Sequence, residues 1–550
     1  MKYRLYLVPL TLLMATGALL MPIWLQGGSQ GHDLFHHLLS GHYFAAQLWQ
    51  GEIYPRWLMA MNGGFGSPTF FFYPPLPYYV SAIFAGPALP PHQAIYPLLA
   101  SATLALFLSG LFAYLWLCRL TSCGRALAVS LLYLALPYHL AIDLYARFAL
   151  AEFWAFVWAP LLLLGQELIS RSRPRGPLLL ALAVALLALS HLPSLLLTLG
   201  LVSLLALLHA RQTKALASLW QSLAAQGLGL AMAAMLLFPA LLEQGAISME
   251  LMRGGIFDFR RNFLDRLPTG WHDWYFRGHL AWLTLLTLGL LLLAWAGAAD
   301  PGQAGLQRWG VLGVLAFLMM LPLSQPLWWL LPPLQQVQFP WRCNLILTLA
   351  TLAVVASATP APGLWRYGWW GLLLLTLASS IAYVQHAPLT QAPSKAVLDA
   401  EFDSKRSARE YRPRQVPKGE FTPTRLAWKE EFQPPVVTQQ ADVQWQIRHW
   451  QARHLELDVT AKAPARLLLH QYDYPGWQAW LDDQIPLEVS ANHQGLLQVW
   501  VPAGHHTLTL RLTARWPELA GYGVSLLAWL LWLYWGYRPL FRASSSSEQA

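Results

Sequence analysis

Charged side chains are scarce in this sequence: they make up 11% of its 550 residues, while hydrophobic residues make up 56%. A soluble globular domain typically has about 25% charged residues. This shortage excludes a soluble globular protein over most of the chain. Apolar stretches of roughly 15 to 25 residues recur along nearly the whole length, as membrane-spanning helices require. The sequence therefore predicts an integral membrane protein.

Cysteine is also scarce. The three cysteines, Cys118, Cys123 and Cys343, are too few and too scattered for a disulfide framework or a zinc site.

The net charge of the chain is +9, but its basic residues do not form one cluster. The basic residues lie between apolar stretches, which excludes a nucleic-acid-binding surface and is typical of charges that orient membrane helices.

The loop charges predict the orientation of the chain in the membrane. The densest basic loop lies at 171–175, and the positive-inside rule assigns it to the cytoplasm. The other segments assigned to the cytoplasm are Arg119 with Arg125, residues 209–214 and residues 538–542. With this orientation both termini are cytoplasmic, and we expect a multi-pass protein of the bacterial inner (cytoplasmic) membrane. A signal-peptide cleavage site does not follow the first apolar stretch, so we interpret that stretch as a retained span.

The apolar pattern predicts a polytopic α-helical membrane protein with about 12 spans and one re-entrant segment. The expected spans are 5–25, 95–117, 125–142, 152–169, 177–190, 192–209, 219–242, 279–297, 309–324, 343–359, 366–384 and 518–537. A further crossing at 67–90 would turn every basic loop outward. That segment is rich in proline, which removes backbone donors, so we expect it to be re-entrant.

One polar stretch near the C-terminus predicts a second kind of structure. Residues 443–513 alternate apolar and polar side chains with period two, as in a β-sandwich or jelly roll. We therefore divide the chain into a transmembrane domain (1–385), an external linker with the β-domain (386–516), and a last transmembrane helix with a cytoplasmic tail (517–550).

With this topology, polar residues from five separate loops fall on the outer face of the membrane. Polar residues with a purely structural role would be distributed over both faces of the membrane. The convergence therefore predicts a functional site. Its members are His32, Asp33, His36 and His37; Asp143, Arg147 and Glu152; His191; residues 243–279; and residues 338–342.

Three interpretations remain open for the first group, which consists of His32, Asp33, His36 and His37. On a helix, His32 and His36 lie four residues apart, as do Asp33 and His37, so they would form two adjacent stripes. Two histidines lack the third ligand that zinc requires; we expect no cofactor, with a divalent metal as an alternative. A polar helix facing lipid headgroups is the second interpretation. A functional carboxylate at Asp33 is the third, because an acid beside a bilayer costs free energy unless it is used.

The other outer residues also allow two interpretations each. Arg147 and Glu152 form either an ion pair that joins two spans or part of a phosphate site, since the planar guanidinium suits phosphate. Arg342 is either a second phosphate ligand or an anchor at the membrane surface. His191 is more typical of a helix-end cap than of a base.

Several short motifs resemble the bacterial membrane family labelled "6-pyruvoyl-tetrahydropterin synthase-related", and the similarity runs nearly end to end. They are Gly31-His32-Asp33, residues 64–68 with 72–79, Arg147 with Ala151-Glu152, residues 190–193, residues 339–342 and residues 410–413. Residues 474–477 and Ala491-Asn492 resemble the neighbouring YfhO-like family. Both families are similar to the GT-C glycosyltransferases, whose first external loop has an acid soon after the first span. Asp33 occupies that place.

This resemblance implies a membrane glycosyltransferase that moves a sugar from a polyprenyl-phosphate donor to an envelope glycan or lipid acceptor on the outer face. We predict an inverting reaction in which Asp33 is the general base. Arg147 and Arg342 would stabilise the leaving phosphate. The remaining candidates for substrate binding are His32, His36, His37, Tyr73, Glu152 and His191. An Asp-x-Asp motif is missing from the outer loops of the sequence, which favours a metal-independent mechanism. The alternative is a non-catalytic lipid-carrier transporter or a scaffold for glycan assembly.

Overall fold

The computed structural model describes residues 2–266, 271–359, 361, 364–387, 390–398, 409–417, 436–438 and 442–545. The helices are α1 (Lys2–Gln26), α2 (Leu34–Trp49), α3 (Thr69–Phe72), α4 (Leu76–Ala85), α5 (Ile95–Leu117), α6 (Cys123–Ala135), α7 (Leu150–Ser170), α8 (Gly176–Ala188), α9 (Leu192–Thr213), α10 (Leu216–Met232), α11 (Ala234–Leu242), α12 (Trp271–Ala296), α13 (Ala304–Leu318), α14 (Gln325–Leu330), α15 (Pro332–Gln335), α16 (Asn344–Ser357), α17 (Leu364–His386) and α18 (Trp516–Ser545).

Within the described residues, nine helical segments have the length and apolarity to cross a membrane. The number rises to eleven if each of two bent helix pairs is one span. These pairs are α10 with α11, bent by 78°, and α13 with the segment Pro322–Leu330, bent by 90°. The expected span at 177–190 forms α8, which has 13 residues and is shorter than the usual span. The prediction of a polytopic α-helical membrane protein is confirmed.

The segment at 67–90 forms two short helices rather than one long one. Helix α3 has four residues and α4 has ten, so neither is long enough to cross a membrane. The break between them falls at Pro74 and Pro75, where ring closure removes two backbone donors. The backbone nitrogen of Leu76 instead donates to the carbonyl of Leu189, 2.9 Å away.

Two central helices position the candidate site. Helix α7 is buried along nearly its whole length and packs against α5 and α8. Helix α16 is also largely buried. Glu152 lies in the first turn of α7, and Arg342 lies in a short 3₁₀ turn, Pro340–Cys343, that leads into α16. The side chains that begin these two buried helices can therefore meet inside the protein.

The two ends of α7 differ in charge. At its C-terminal end, Nη2 of Arg171 donates to the backbone carbonyl of Arg119, 2.6 Å away, which brings two of the basic loops together. At its N-terminal end lies Glu152 with its partners. A helix of 21 residues is about 30 Å long. The basic loops and the candidate site therefore lie about one membrane thickness apart.

In the described part of the β-domain, nine strands form two antiparallel sheets. The strands are β1 (Val436–Thr438), β2 (Val443–Gln451), β3 (His454–Ala461), β4 (Ala465–Tyr472), β5 (Trp477–Leu481), β6 (Ile485–Leu487), β7 (Val489–Ala491), β8 (Leu496–Val501) and β9 (Gly504–Leu512). One sheet has the order β1-β4-β8-β7 and the other β2-β3-β9-β5-β6. Alternating side chains such as Leu455, Leu457 and Val459 are fully buried. The predicted β-sandwich near the C-terminus is confirmed.

Buried polar contacts attach the β-domain to the helical part. Nε1 of Trp57 donates to Oε1 of Gln471 over 2.9 Å. Nε of Arg56, which has no exposed surface, lies 3.2 Å from Oε2 of Glu518 at the start of α18. Glu518 also accepts from both terminal nitrogens of Arg453, at 3.1 and 3.2 Å. These contacts fix the β-domain beside the residues that follow α2.

Candidate functional site

Glu152 is the centre of a buried network of charges. Its Oε2 accepts from Nη1 of Arg147 at 2.8 Å and from Nε of Arg342 at 2.9 Å. Its Oε1 accepts from the hydroxyl of Tyr138 at 2.7 Å. The side chain of Glu152 is 1% exposed. Because a buried carboxylate is stable only when it is paired and hydrogen-bonded, this arrangement holds both guanidinium groups in fixed positions.

A π-helix places the second acid of this network. Residues Tyr138–Ala146 form the π-helix, and the backbone nitrogen of Arg147 donates to the carbonyl of Ile142 over 2.9 Å. Nη1 of Arg147 also donates to Oδ1 of Asp143 at 2.7 Å. The following residue, Phe148, has a positive φ of 50°, a conformation that residues other than glycine rarely adopt. Such irregular backbone often occurs at functional sites.

Asp33 joins this network from the first loop. Its Oδ2 lies 3.6 Å from Nη2 of Arg147. The side chain of Asp33 is 44% exposed, whereas Asp143 and Glu152 are buried. Its backbone nitrogen donates to the carbonyl of Arg147 over 2.8 Å, so two contacts hold the loop against the residues before α7. Asp33 is therefore the one of these three acids that a molecule from solution can reach directly.

Gly31 allows this close approach. A Cβ atom at Gly31 would lie 2.5 Å from the carbonyl carbon of Arg147 and 2.6 Å from the nitrogen of Phe148. Both are backbone atoms, which cannot move aside as a flexible side chain can. Any side chain at position 31 would therefore push Asp33 away from Arg147.

We expect Gly31→Ala to destabilise the protein by about 1–3 kcal/mol, as other overpacking substitutions do. It should also lower activity, because it separates Asp33 from Arg147. Thermal unfolding in detergent, followed by an activity measurement, checks this. Gly17→Ala is the matched control, since nothing lies within 4 Å of a Cβ atom there. Equal stability and activity of the two variants would contradict this role of Gly31.

The histidines of the first loop differ in their surroundings. Helix α2 begins at Leu34, so the two helical stripes that the sequence predicts are incomplete, and the ring of His32 instead packs on Phe276 at 4.7 Å between ring centroids. Nδ1 of His37 is 2.7 Å from the hydroxyl of Tyr78. Burial lowers the pKa of His37 well below its usual value, and nearby positive charges lower it further. His37 is therefore neutral at pH 7.

His36 lies in an aromatic environment. Its ring centroid is 5.2 Å from that of Tyr73 and 6.4 Å from that of Tyr411. Burial lowers the pKa of His36, while the charge of Asp33 opposes this effect. Both ring nitrogens are buried and have no hydrogen-bond partner among the described residues.

Arg342 is fixed on several sides. Besides its bond to Glu152, its Nη1 donates to the carbonyl of Val337 at 2.7 Å and to Oε1 of Gln338 at 3.2 Å. The guanidinium also lies over the ring of Phe339, with Cζ 4.7 Å from the ring centroid. Arg342 is 7% exposed. A surface anchor would extend into the headgroups, so this burial favours the interpretation as an internal cation.

His191 acts as a helix cap. Its Nδ1 accepts from the backbone nitrogen of Ser194 at 3.4 Å, at the start of α9. Burial lowers the pKa of His191 to about 3, and the charge of Arg342 contributes to this. His191 is therefore neutral and lies close to Arg342, which agrees with the helix-cap interpretation.

The structure brings together residues that the sequence placed on one face. Asp33, His36, His37, Tyr73, Arg147, Glu152, His191 and Arg342 form one continuous region, with His32 at its edge against Phe276. The region also contains Tyr138, Glu410 and Tyr411, which were not predicted from the sequence as site residues. Asp143, which the sequence placed on the outer face, contacts Arg147 four residues later.

No group of three or more His, Cys, Asp or Glu side chains with metal-binding geometry occurs in the part of the chain that the structure describes. The prediction about a metal is not tested by this finding. Asp143 and Glu152 accept hydrogen bonds from guanidinium and hydroxyl groups.

No protein-family model and no curated protein matches the sequence. Two structures of arabinofuranosyltransferase AftD from Mycobacteria, both from single-particle cryo-electron microscopy, are similar to it. One, of a mutant form (class 2), has 17% identity and a TM-score of 0.43 and covers 72% of this chain and 29% of that chain. The other has 20% identity and a TM-score of 0.41 and covers 71% and 27%. This chain thus spans less than a third of the length of those proteins. The resemblance to the pterin-labelled and YfhO-like families stays a prediction.

Proposed function

We propose that the protein transfers a sugar from a polyprenyl-phosphate donor to a glycan or lipid acceptor at the outer face of the inner membrane. The observation that carries this proposal is the half-exposed carboxylate of Asp33 beside a buried, fully oriented pair of arginines. A base that solution can reach and a fixed cation close to it are the two groups that such a transfer needs.

Asp33 is the general base in this proposal. Its carboxylate takes the proton from the acceptor hydroxyl while the hydroxyl oxygen attacks the anomeric carbon of the donor. The bond between that carbon and the phosphate oxygen breaks, and its electron pair stays on the phosphate. Attack from the face opposite the phosphate inverts the anomeric configuration.

The two arginines stabilise the leaving phosphate. Arg342 is held through Nε and Nη1, and its Nη2 has no hydrogen-bond partner among the described residues. Arg147 is held through Nη1, while its Nη2 faces Asp33 at 3.6 Å. Each guanidinium therefore keeps a donor that Glu152 does not use. A cation that is already oriented stabilises developing charge without the cost of reorganisation.

The orientation in the membrane rests on the charges at the ends of α7. The loops with Arg119 and Arg171 meet at one end, and the positive-inside rule assigns that end to the cytoplasm. Asp33, Arg147 and Arg342 lie at the opposite end, on the side of the β-domain. The donor would reach them from the outer leaflet, along α3 and α4.

Arg342→Lys tests whether Arg342 binds the phosphate of the donor. Lysine keeps the positive charge but lacks the planar pair of parallel donors, so we expect weaker binding of polyprenyl phosphate, by about tenfold. Arg342→Ala should weaken it further. Binding to purified protein in nanodiscs, measured with labelled polyprenyl phosphate, checks both variants.

Arg260→Lys is a control, because this arginine pairs with Asp258 at 2.7 Å and its side chain is 58% exposed. If Arg342→Lys bound polyprenyl phosphate as tightly as the wild type, Arg342 would have no role in holding the phosphate.

A further inference from the structure

A short segment after the last helix of the first domain reaches the site from the side of the β-domain. We call residues 409–416 the linker segment. The backbone nitrogen of Arg414 donates to the carbonyl of Ala246 at 2.9 Å, and the carbonyl of Arg412 accepts from Ser248 at 3.3 Å. Nε2 of Gln415 donates to Oδ2 of Asp473 at 2.7 Å, in the β-domain. The segment is therefore fixed both to an outer loop of the helical part and to the β-domain.

The linker segment adds Tyr411 to the site. Its ring centroid is 5.9 Å from that of Tyr73 and 6.4 Å from that of His36. Tyr411 is buried, with 8% of its surface exposed. Three rings from three separate parts of the chain thus pack together close to Asp33.

The imidazole of His36 is buried and has no hydrogen-bond partner among the described residues. Buried polar atoms in proteins are nearly always hydrogen-bonded, so each exception requires an explanation. Both nitrogens of His36 are such exceptions among the described residues. A neutral imidazole donates at one nitrogen and accepts at the other, which suits a ligand with several hydroxyl groups.

We infer that His36, Tyr73 and Tyr411 bind a sugar ring of the acceptor glycan, with the hydroxyl that reacts directed to Asp33. This inference rests on the proposed function and names the acceptor as a glycan rather than a lipid. A sugar ring has an apolar face of C–H groups and a rim of hydroxyls. Aromatic rings match the face, and the imidazole and phenol groups match the rim.

The charges on this side of the site favour the acceptor over the donor. Glu410, the residue before Tyr411, lies near Asp33: burial raises the pKa of Glu410, and the charge of Asp33 raises it further. The carboxylate of Asp33, and Glu410 whenever it is ionised, repel a phosphate. The phosphate therefore belongs with Arg147 and Arg342, and an uncharged sugar belongs with the linker segment. A glycan extending along the β-domain would meet Tyr411 first.

The experiment uses the full-length protein in nanodiscs and, as probes, the methyl glycosides of glucose, galactose, mannose and arabinose. Saturation-transfer NMR should detect binding of at least one glycoside to the wild type. Tyr411→Ala should weaken that binding about tenfold, while Tyr411→Phe, which keeps the ring, should weaken it less. Arg414→Ala is the control within the same segment, because the side chain of Arg414 is exposed and its bond to Ala246 is made by the backbone nitrogen, which the substitution keeps; it should bind like the wild type.

Binding of polyprenyl phosphate to the same samples separates this inference from the proposed function. We expect Tyr411→Ala to bind polyprenyl phosphate like the wild type, which also shows that the variant is folded. The inference is overturned if no glycoside binds the wild type or if Tyr411→Ala binds the glycoside normally. It is also overturned if Tyr411→Ala weakens the binding of polyprenyl phosphate as much as it weakens the binding of the glycoside. A wild type that binds a glycoside but no polyprenyl phosphate would instead overturn the proposed function.

Discussion

Asp33→Asn should abolish sugar transfer while leaving the protein folded. Asparagine has nearly the same shape but cannot accept the proton of the acceptor hydroxyl, so we expect the rate to fall about a hundredfold or more. Within the described residues Asp33 makes one ion pair, a long one of 3.6 Å, and its side chain is 44% exposed, so its replacement should cost little stability. Release of polyprenyl phosphate from polyprenyl-phosphate sugars, measured in membranes that contain the variant, checks the rate.

Asp265→Asn provides the matched control, since Asp265 is an exposed acid in the loop before α12. It should retain the wild-type rate. Normal transfer by Asp33→Asn would refute the role of Asp33 as a base. The alternative of a lipid-carrier transporter or a scaffold would then be favoured, because neither activity requires a base at this position.

The sequence was sufficient to predict that the site residues lie together. Asp33, Arg147 and Arg342 are far apart along the chain, but each is a charge at the end of an apolar stretch. The alternation of basic and other loops assigns these ends to one side. The structure places them in one network around Glu152. Composition and periodicity also predicted the polytopic helical part and the β-sandwich.

The pairing inside the network could not be predicted in the same way. Glu152 and Arg147 are close in sequence, so their ion pair was an open interpretation. The second partner, Arg342, lies 190 residues away, and the contact depends on how α7 and the turn before α16 pack. Residue spacing contains no information about that packing. The same limit explains why Tyr411, which reaches the site through the linker segment, was not chosen.

The first loop shows a different limit. A spacing of four residues suggested that His32 and His36 share one face of a helix. In the structure, Gly31 to Asp33 pack against the backbone before α7, where the nitrogen of Asp33 donates to the carbonyl of Arg147. The helix therefore starts only at Leu34. A long-range backbone contact, invisible in the local pattern, decides where it begins.

Glu152→Gln should destabilise the protein strongly. The substitution keeps the size of the side chain but removes the negative charge that two buried guanidinium groups share. Removing one partner of a buried ion pair typically costs about 3–5 kcal/mol, because the other partner remains buried without compensation. Asp143, which also contacts Arg147 at 2.7 Å, can offset part of this loss but lies on the side of Arg147. Arg342 keeps only neutral oxygen partners in this variant.

Glu167→Gln is the control on the same helix. Glu167 pairs with Arg171 at 2.7 Å near the C-terminal end of α7, but both side chains are partly exposed, at 27% and 46%. An exposed pair contributes about 0–1 kcal/mol, so this variant should unfold almost like the wild type. Thermal unfolding of both variants in the same detergent provides the comparison. Equal unfolding temperatures would mean that Glu152 does not hold the two arginines in place, and the proposal of a preorganised phosphate site would lose its structural basis.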